Sequence, residues 1–292
     1  MAPASFIRGN AVMDVKQILS FIKIEHTLFS LPFVFIGANL ASQQNYSVSS
    51  AQLLWILIAA VGARGLAMGL NRITDREIDA ANPRTRQRHL AAGTMSLSTA
   101  YGLCGMFLAM LLVGAWQLNS VALSMAWLPV LAFVAYPYMK RFTWGCHFWL
   151  GLCLGLAPAG AWLGIVGADL GWDALTGTAW YPEILFTSLG VLLWIASFDL
   201  GYALMDIDSD VENGIHSFPA AFGPTNTVRT MGVLTLIWTG LFFTLTPISI
   251  LVGAIILGTV YLAHQNHDQF QAWWFRCHVA TGWILLAGMQ LS

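Results

Sequence analysis

The chain has 292 residues, of which 57% are hydrophobic and only 9% charged, and its formal net charge is −1. That balance excludes an ordinary soluble domain and a basic nucleic-acid binder, so no nucleic-acid partner is expected. A lipid bilayer is the partner that the composition implies.

Taken in chain order, Asp, Glu, Lys and Arg are absent from residues 26–63, 95–139, 142–168 and 230–267. A membrane helix takes about 20 mainly apolar residues, so several of these stretches each hold two spans. The first apolar segment carries Lys23, Glu25 and His26 and runs on to Leu40. It has no cleavable-signal pattern and reads as a retained span. Gln43-Gln44-Asn45 divides the first stretch, Gln117-Leu118-Asn119 the second and Thr246-Pro247 the last. Residues 184–205 and a short segment from His278, with Gln290 near its end, bring the count to about nine helices. The expected fold is an all-α integral membrane protein. It is one polytopic domain over residues 1–292, a bundle with a central cavity open to the cytoplasmic side.

All 13 Lys and Arg residues fit one orientation. Arg8, Lys16, Lys23, Arg72, Arg76, Arg84, Arg86, Arg88, Lys140, Arg141, Arg229 and Arg276 fall on one side, or at span ends facing it, and Arg64 lies inside a span toward that end. The opposite loops, residues 41–50, 118–120, 169–183 and 245–248, contain none. The positive-inside rule makes the basic side cytoplasmic, with the N-terminus. This predicts a multi-pass protein of the cell inner membrane. Cys104, Cys146, Cys153 and Cys277 have no metal or disulfide spacing and read as small buried hydrophobes. His264, His267 and Asp268 read as a wet interfacial loop, and most of the 13 Trp residues as interfacial belt.

Two acidic clusters follow apolar segments. The first is Asn71-Arg72-Ile73-Thr74-Asp75-Arg76-Glu77-Ile78-Asp79, and the second runs from Asp199 through Tyr202 to Asp206-Ile207-Asp208-Ser209-Asp210. Residues four apart share a helical face. Asn71, Asp75 and Asp79 therefore form one polar stripe, and Tyr202, Asp206 and Asp210 another. Asp208 and Glu212 point away and read as solvated. Asp75 and Asp206 are 131 residues apart with an even number of spans between them, so the two stripes face each other. That is a parallel repeat of two halves, roughly 15–140 and 147–264, plus a last helix. Ionisable groups at membrane depth are costly and mark function, which includes Asp199. Mg2+ takes few carboxylates and completes its shell with water and phosphate oxygens. Asp75, Asp79, Asp206 and Asp210, with Asn71 as a further ligand, suit Mg2+ ions that clamp a diphosphate. Arg72, Arg76, Arg84, Lys140 and Arg141 lie on the same side to neutralise it. Both clusters run into loops broken by Pro and Gly, at Asn82-Pro83 and Gly214 to Pro219.

The run Asn71-Arg72-x2-Asp75-Arg76-x2-Asp79, followed by Asn82-Pro83-Arg84-Thr85, resembles the first signature of the UbiA-type intramembrane prenyltransferases. Asp199-x2-Tyr202-x3-Asp206-x3-Asp210-x3-Gly214-x2-Ser217 resembles the second. Tyr136-x3-Lys140-Arg141-x-Thr143 and Lys23-Ile24-Glu25-His26-Thr27 also fit, while His89-Leu90 departs from the Pro-Leu of many members. Within the family, the chain resembles the 4-hydroxybenzoate polyprenyltransferase-like subgroup. The resemblance implies Mg2+-dependent transfer of a polyprenyl group from its diphosphate to an aromatic acid in quinone biosynthesis, with a naphthoate-type acceptor of menaquinone synthesis as the alternative. On that reading Asp75, Asp79, Asp199, Tyr202, Asp206 and Asp210 are catalytic. Asn71, Arg72, Arg84, Lys140 and Arg141 bind the diphosphate, and Arg64 binds the acceptor carboxylate. Two rivals predict other outcomes. A CDP-alcohol phosphotransferase needs an Asp-Gly before Ala-Arg motif that the chain lacks, and a cation-coupled transporter releases no diphosphate.

Overall fold

The structure is a computed structural model. It describes residues 15–265 and 270–291, and the backbone alone of residues 24–26. The expectations for Arg8, His267 and Asp268, and for the side chains of Glu25 and His26, lie outside the described residues. The first half holds α1 (Val15–Phe21), α2 (Ile24–Gln43), α3 (Ser50–Thr74), α4 (Arg76–Ala81), α5 (Leu97–Leu118), α6 (Ser120–Met125) and α7 (Trp127–Phe142). The second holds α8 (Cys146–Leu170), α9 (Asp173–Thr176), α10 (Glu183–Ala203), α11 (Ile207–Glu212), α12 (Phe218–Phe243), α13 (Ser249–His264) and α14 (Phe270–Leu291). No strand occurs among the described residues. Among the described residues, five helical segments are long and apolar enough to cross a membrane: Ser50–Thr74, Leu97–Leu118, Ser120–Phe142, Cys146–Leu170 and Glu183–Ala203.

Local chemistry sets the ends of these helices. Ser49 and Gln52 form a reciprocal capping box at the start of α3, and Ser96 accepts the Thr99 amide at the start of α5. Asn119 does double service. Its Oδ1 accepts the Ala122 amide, and its Nδ2 donates to the carbonyls of Leu163 and Gly164 on α8, each at 3.0 Å. This pins the α5–α6 turn to the neighbouring helix. Near the other end of the bundle, Ser217 caps α12, which then breaks at Gly223 (φ 79) before Pro224.

Helix α3 packs along α5, and α10 is flanked by α8 and α12. Without water to drive helices together, close backbone approach at small residues holds such bundles. A Cβ added to Gly62 of α3 would sit 2.6 Å from the Phe107 carbonyl oxygen, and one on Gly155 of α8 would sit 2.7 Å from that of Ser188. The tryptophans divide. Trp116, Trp127 and Trp172 are exposed as expected for a belt, but Trp162, Trp194, Trp238 and Trp274 are core. Trp162 and Trp274 are tolerated there because each indole N–H has an acceptor, Gln44 Oε1 at 2.7 Å and the Phe198 carbonyl at 3.0 Å.

Gly62→Leu should therefore force α3 from α5 and cost about 2 kcal/mol of stability. Gly105→Ala, which meets nothing within 4 Å, should cost none. Thermal melts in detergent check the pair, and equal melting temperatures would contradict the close-approach account.

Candidate active site

The first acidic segment is not one unbroken helix. Helix α3 stops at Thr74, and Asp75 (φ −94, ψ 6) is the hinge into the short α4. Backbone hydrogen bonds continue across it, from Asp75 N–H to the Asn71 carbonyl and from Asp79 N–H to the Asp75 carbonyl. The second segment breaks at its matching position, since α10 ends at Ala203 and Asp206 (φ −108, ψ 4) opens α11. The expected continuous stripes are thus corrected to two bent segments. In each, the middle aspartate stands at the bend, Asp75 bonding Lys140 of α7 and Asp206 bonding Asn82 and Arg84 of the loop after α4.

Cations of the same chain hold these carboxylates. Asp75 is 1% exposed, and its Oδ2 accepts from Asn71 Nδ2 at 2.7 Å and from Lys140 Nζ at 2.5 Å. Its Oδ1 is buried without a hydrogen bond, with Arg141 Nη2 3.8 Å away. Burial raises the Asp75 pKa, and the charge of Lys140 only partly offsets it. Asp79 is gripped by Arg88 Nη1 at 2.7 Å, while Thr85 Oγ1 donates to the Asp79 carbonyl. Across the gap, Arg84 forks onto Asp206, with Nε 2.8 Å from Oδ1 and Nη2 against Oδ2, and Asn82 Nδ2 joins at 3.2 Å. Burial pulls the Arg84 pKa down, but the hydrogen bond and charge of Asp206 outweigh it, and the net direction is up. Asp210 is raised by burial, against a hydrogen bond from Ser217. The loop over residues 82–88 therefore straps the first acidic segment to the second.

These groups form the mouth of a cavity of about 1120 Å3. Every residue singled out from the sequence lines it except Arg76 and Arg141, namely Arg64, Asn71, Arg72, Asp75, Asp79, Arg84, Lys140, Asp199, Tyr202, Asp206 and Asp210. Arg141 instead donates to the Thr74 carbonyl at 2.9 Å and lies over the Tyr138 ring. Arg72 is mainly a brace, as its Nε donates to the Phe21 carbonyl at 2.8 Å. Arg64 Nε is buried without a hydrogen bond. Asp199 bonds His147, at 2.7 Å. Beyond Arg64 the lining is almost wholly apolar and extends past Leu118 and Trp162 to Trp180 and Ile184, next to the loop that carries no basic residue.

Sequence reasoning assigns Arg88 no partner, names Asn82 only within the first signature, and does not single out His147. Arg88 and Asn82 act through a turn with no helical period, and His147 is an isolated histidine at the start of an apolar run. Among the described residues no three His, Cys, Asp or Glu side chains converge as a metal cluster. The donor set nevertheless fits Mg2+, which needs only one or two carboxylates when phosphate oxygens and water supply the rest. The unsatisfied Oδ1 of Asp75 is one such donor.

The strap is testable without any ligand. In metal-free protein, Arg84→Gln should speed hydrogen exchange over residues 82–88 by about tenfold, the equivalent of about 1.4 kcal/mol for a charge-assisted pair. Exchange equal to the parent's would show that the strap does not depend on the Arg84–Asp206 pair.

Comparison with known proteins agrees with this architecture. The family model described as the UbiA prenyltransferase family matches residues 30–278. The structure of a UbiA homolog from Aeropyrum pernix is 31% identical, covers 92% of this chain and 98% of that one, and superposes with a TM-score of 0.80. The 4-hydroxybenzoate octaprenyltransferase of Vibrio cholerae is 31% identical over 241 residues, 76% of this chain and 78% of the relative. The mitochondrial 4-hydroxybenzoate polyprenyltransferase of Schizosaccharomyces pombe is 26% identical over 235 residues, and the match spans 76% of this chain but only 63% of that protein's length. With the family model matching residues 30–278 and the fold shared over 92% of the chain, the chain belongs to the UbiA prenyltransferase family.

Proposed function

We propose that the protein transfers a polyprenyl group from its diphosphate to an aromatic acid such as 4-hydroxybenzoate, in quinone biosynthesis. One observation carries the reading. A mouth of carboxylates and cations opens into an apolar stem, and Arg64, whose Nε is buried without a hydrogen bond, stands where the two meet. Those three features match the three parts of the reactants: a diphosphate, an isoprenoid tail and an aromatic carboxylate. The names of the relatives point to the same acceptor.

On this reading Asp75, Asp79, Asp206 and Asp210, with Asn71, hold Mg2+, which when bound neutralises the diphosphate and favours its departure. Lys140, Arg84 and Arg88 exchange their carboxylate partners for phosphate oxygens. The allylic C–O bond breaks, and its electron pair leaves with the diphosphate. Phe133, Tyr136, Phe198 and Tyr202 line the cavity and present ring faces to the allylic cation. Arg64 fixes the acceptor carboxylate so that the ring carbon beside the phenol hydroxyl forms the new C–C bond. Asp199 accepts the proton that the acceptor loses, and Tyr202 steers the leaving group. The stem excludes water from the cation.

The proposed setting is a cell inner membrane crossed nine times, by α2, α3, α5, α6 with α7, α8, α10, α12, α13 and α14. The N-terminus and both acidic loops are cytoplasmic, as the one-sided Lys and Arg predict. The halves 15–140 and 147–264 are proposed as a parallel repeat, supported by the matching hinges at Asp75 and Asp206.

Two measurements test the roles. Asp75→Asn and Asp206→Asn should each lower turnover at least about 100-fold in folded protein, and a chelator should abolish it. Full turnover in EDTA contradicts the mechanism. Arg64→Leu should raise the acceptor KM by about tenfold or more while leaving diphosphate affinity nearly intact. It should also erase the preference for the acid over its decarboxylated phenol. An unchanged acceptor KM would assign Arg64 to the fold instead.

A further inference from the structure

His147 is the second residue of α8, is 3% exposed, and has both ring nitrogens bonded. Its Nδ1 is 2.7 Å from Asp199 Oδ2, and its Nε2 lies 3.1 Å from the backbone N–H of Phe218, which donates to it. A ring nitrogen that accepts carries no proton, so the proton sits on Nδ1 and is donated to Asp199. One imidazole thus reads two segments at once. Asp199 belongs to α10 and lines the cavity. Phe218 is the first residue of α12, directly after the loop that leaves the second acidic segment.

That loop has two more ties beside His147. The His216 N–H donates to the Lys140 carbonyl at 2.7 Å, and Cys146 Sγ points to the His216 carbonyl at 3.7 Å. The residue that carries the Asp75-bound ammonium is therefore joined through its carbonyl to the segment that bonds His147. Asp199 itself is the more open partner of the pair, with a side chain 28% exposed against 4% for His147. Its Oδ2 is engaged by the ring, which leaves Oδ1 to the cavity.

We propose that His147 is a positioning residue for the acceptor step: it holds the Asp199 carboxylate in one orientation and couples that orientation to the seating of residues 213–218. The inference rests on the prenyl-transfer reading, in which Asp199 takes the acceptor's proton. His147 does not touch the substrates. It acts through Asp199, and it does so only while Phe218 occupies Nε2.

Glutamine separates this role from mere filling of space, because its amide offers one N–H donor for Asp199 and one oxygen acceptor for Phe218 N–H. Kinetics are measured on the full chain in detergent with a polyprenyl diphosphate, Mg2+ and 4-hydroxybenzoate. His147→Leu should lower kcat roughly tenfold or more, with the KM for prenyl diphosphate within about twofold of the parent's. Hydrogen exchange over residues 213–218 should rise in the same variant. His147→Gln should restore most of both. In an Asp199→Asn background, His147→Leu should cost no further kcat, because the pair acts as one unit. Should His147→Leu fail to fold, His147→Asn, whose shorter amide cannot span both partners, takes its place in the cycle. Losses that multiply in the double variant, a Gln variant as impaired as Leu, or an effect confined to the prenyl-diphosphate KM would overturn the role of His147. No product from the parent chain with any aromatic acid would overturn the functional reading itself, and the inference with it.

Discussion

Four carboxylates crowd the mouth of a helical bundle, and three of them exist there because a cation of the same chain lies in contact. Asp75 is the strictest case, buried almost completely and held by Lys140 at 2.5 Å. Removing such a charge from water costs several kcal/mol, and close pairing repays that cost only when the geometry is good. Asp79 with Arg88 and Asp206 with Arg84 repeat the arrangement nearer to solvent. The pairs also decide tertiary structure. Lys140 draws the end of α7 to the end of α3, and Arg84 and Arg88 draw the loop after α4 across the gap to α11.

The same pairing keeps the site poised for an anionic ligand. Each cation already stands at the mouth, so under the proposed function a diphosphate would meet preorganised donors, and each carboxylate released from its partner would be free to bind metal. Among the buried polar atoms without a hydrogen bond, Asp75 Oδ1 and Arg64 Nε belong to residues that line the cavity where reactants are proposed, whereas others, among them Trp194 Nε1, Trp238 Nε1 and Ser249 Oγ, lie outside that lining. Asp75 Oδ1 is at the mouth, and Arg64 Nε is where the polar mouth gives way to the apolar stem. Buried polar atoms without partners are rare in folded proteins; for these two atoms the proposed function would supply the missing partners. His147 extends the logic one layer outward, since it fixes Asp199 from behind with a neutral ring and adds no charge to the mouth.

Much of this was legible in the sequence, and the misses share one cause. The uncharged stretches and their polar breaks mark helices well: α2 ends at Gln43, α5 at Leu118 and α12 at Phe243, where Gln43-Gln44-Asn45, Gln117-Leu118-Asn119 and Thr246-Pro247 stand. The acidic spacing also identifies cavity residues, because carboxylates are costly in an apolar chain and a four-residue interval gathers them on one face. Periodicity does not report where a helix bends, however. The hinges at Asp75 and Asp206 and the Gly223 break keep or interrupt a helical rhythm that the letters continue. Nor does it report contacts across distant segments. Arg88 reaches Asp79 through a turn, His147 meets Asp199 between neighbouring helices, and Arg141 donates to the Thr74 carbonyl beside Asp75 while its neighbour Lys140 bonds Asp75 directly.

The central claim is that this mouth releases a diphosphate while the apolar stem delivers an isoprenoid to an aromatic ring. It is tested most directly by incubating the purified chain with Mg2+, a polyprenyl diphosphate and a panel of aromatic acids, then resolving the products by mass spectrometry. The account predicts a carbon-prenylated acid formed in step with released diphosphate. Diphosphate release without any prenylated aromatic product, or no reaction with any acid in the panel, would contradict it.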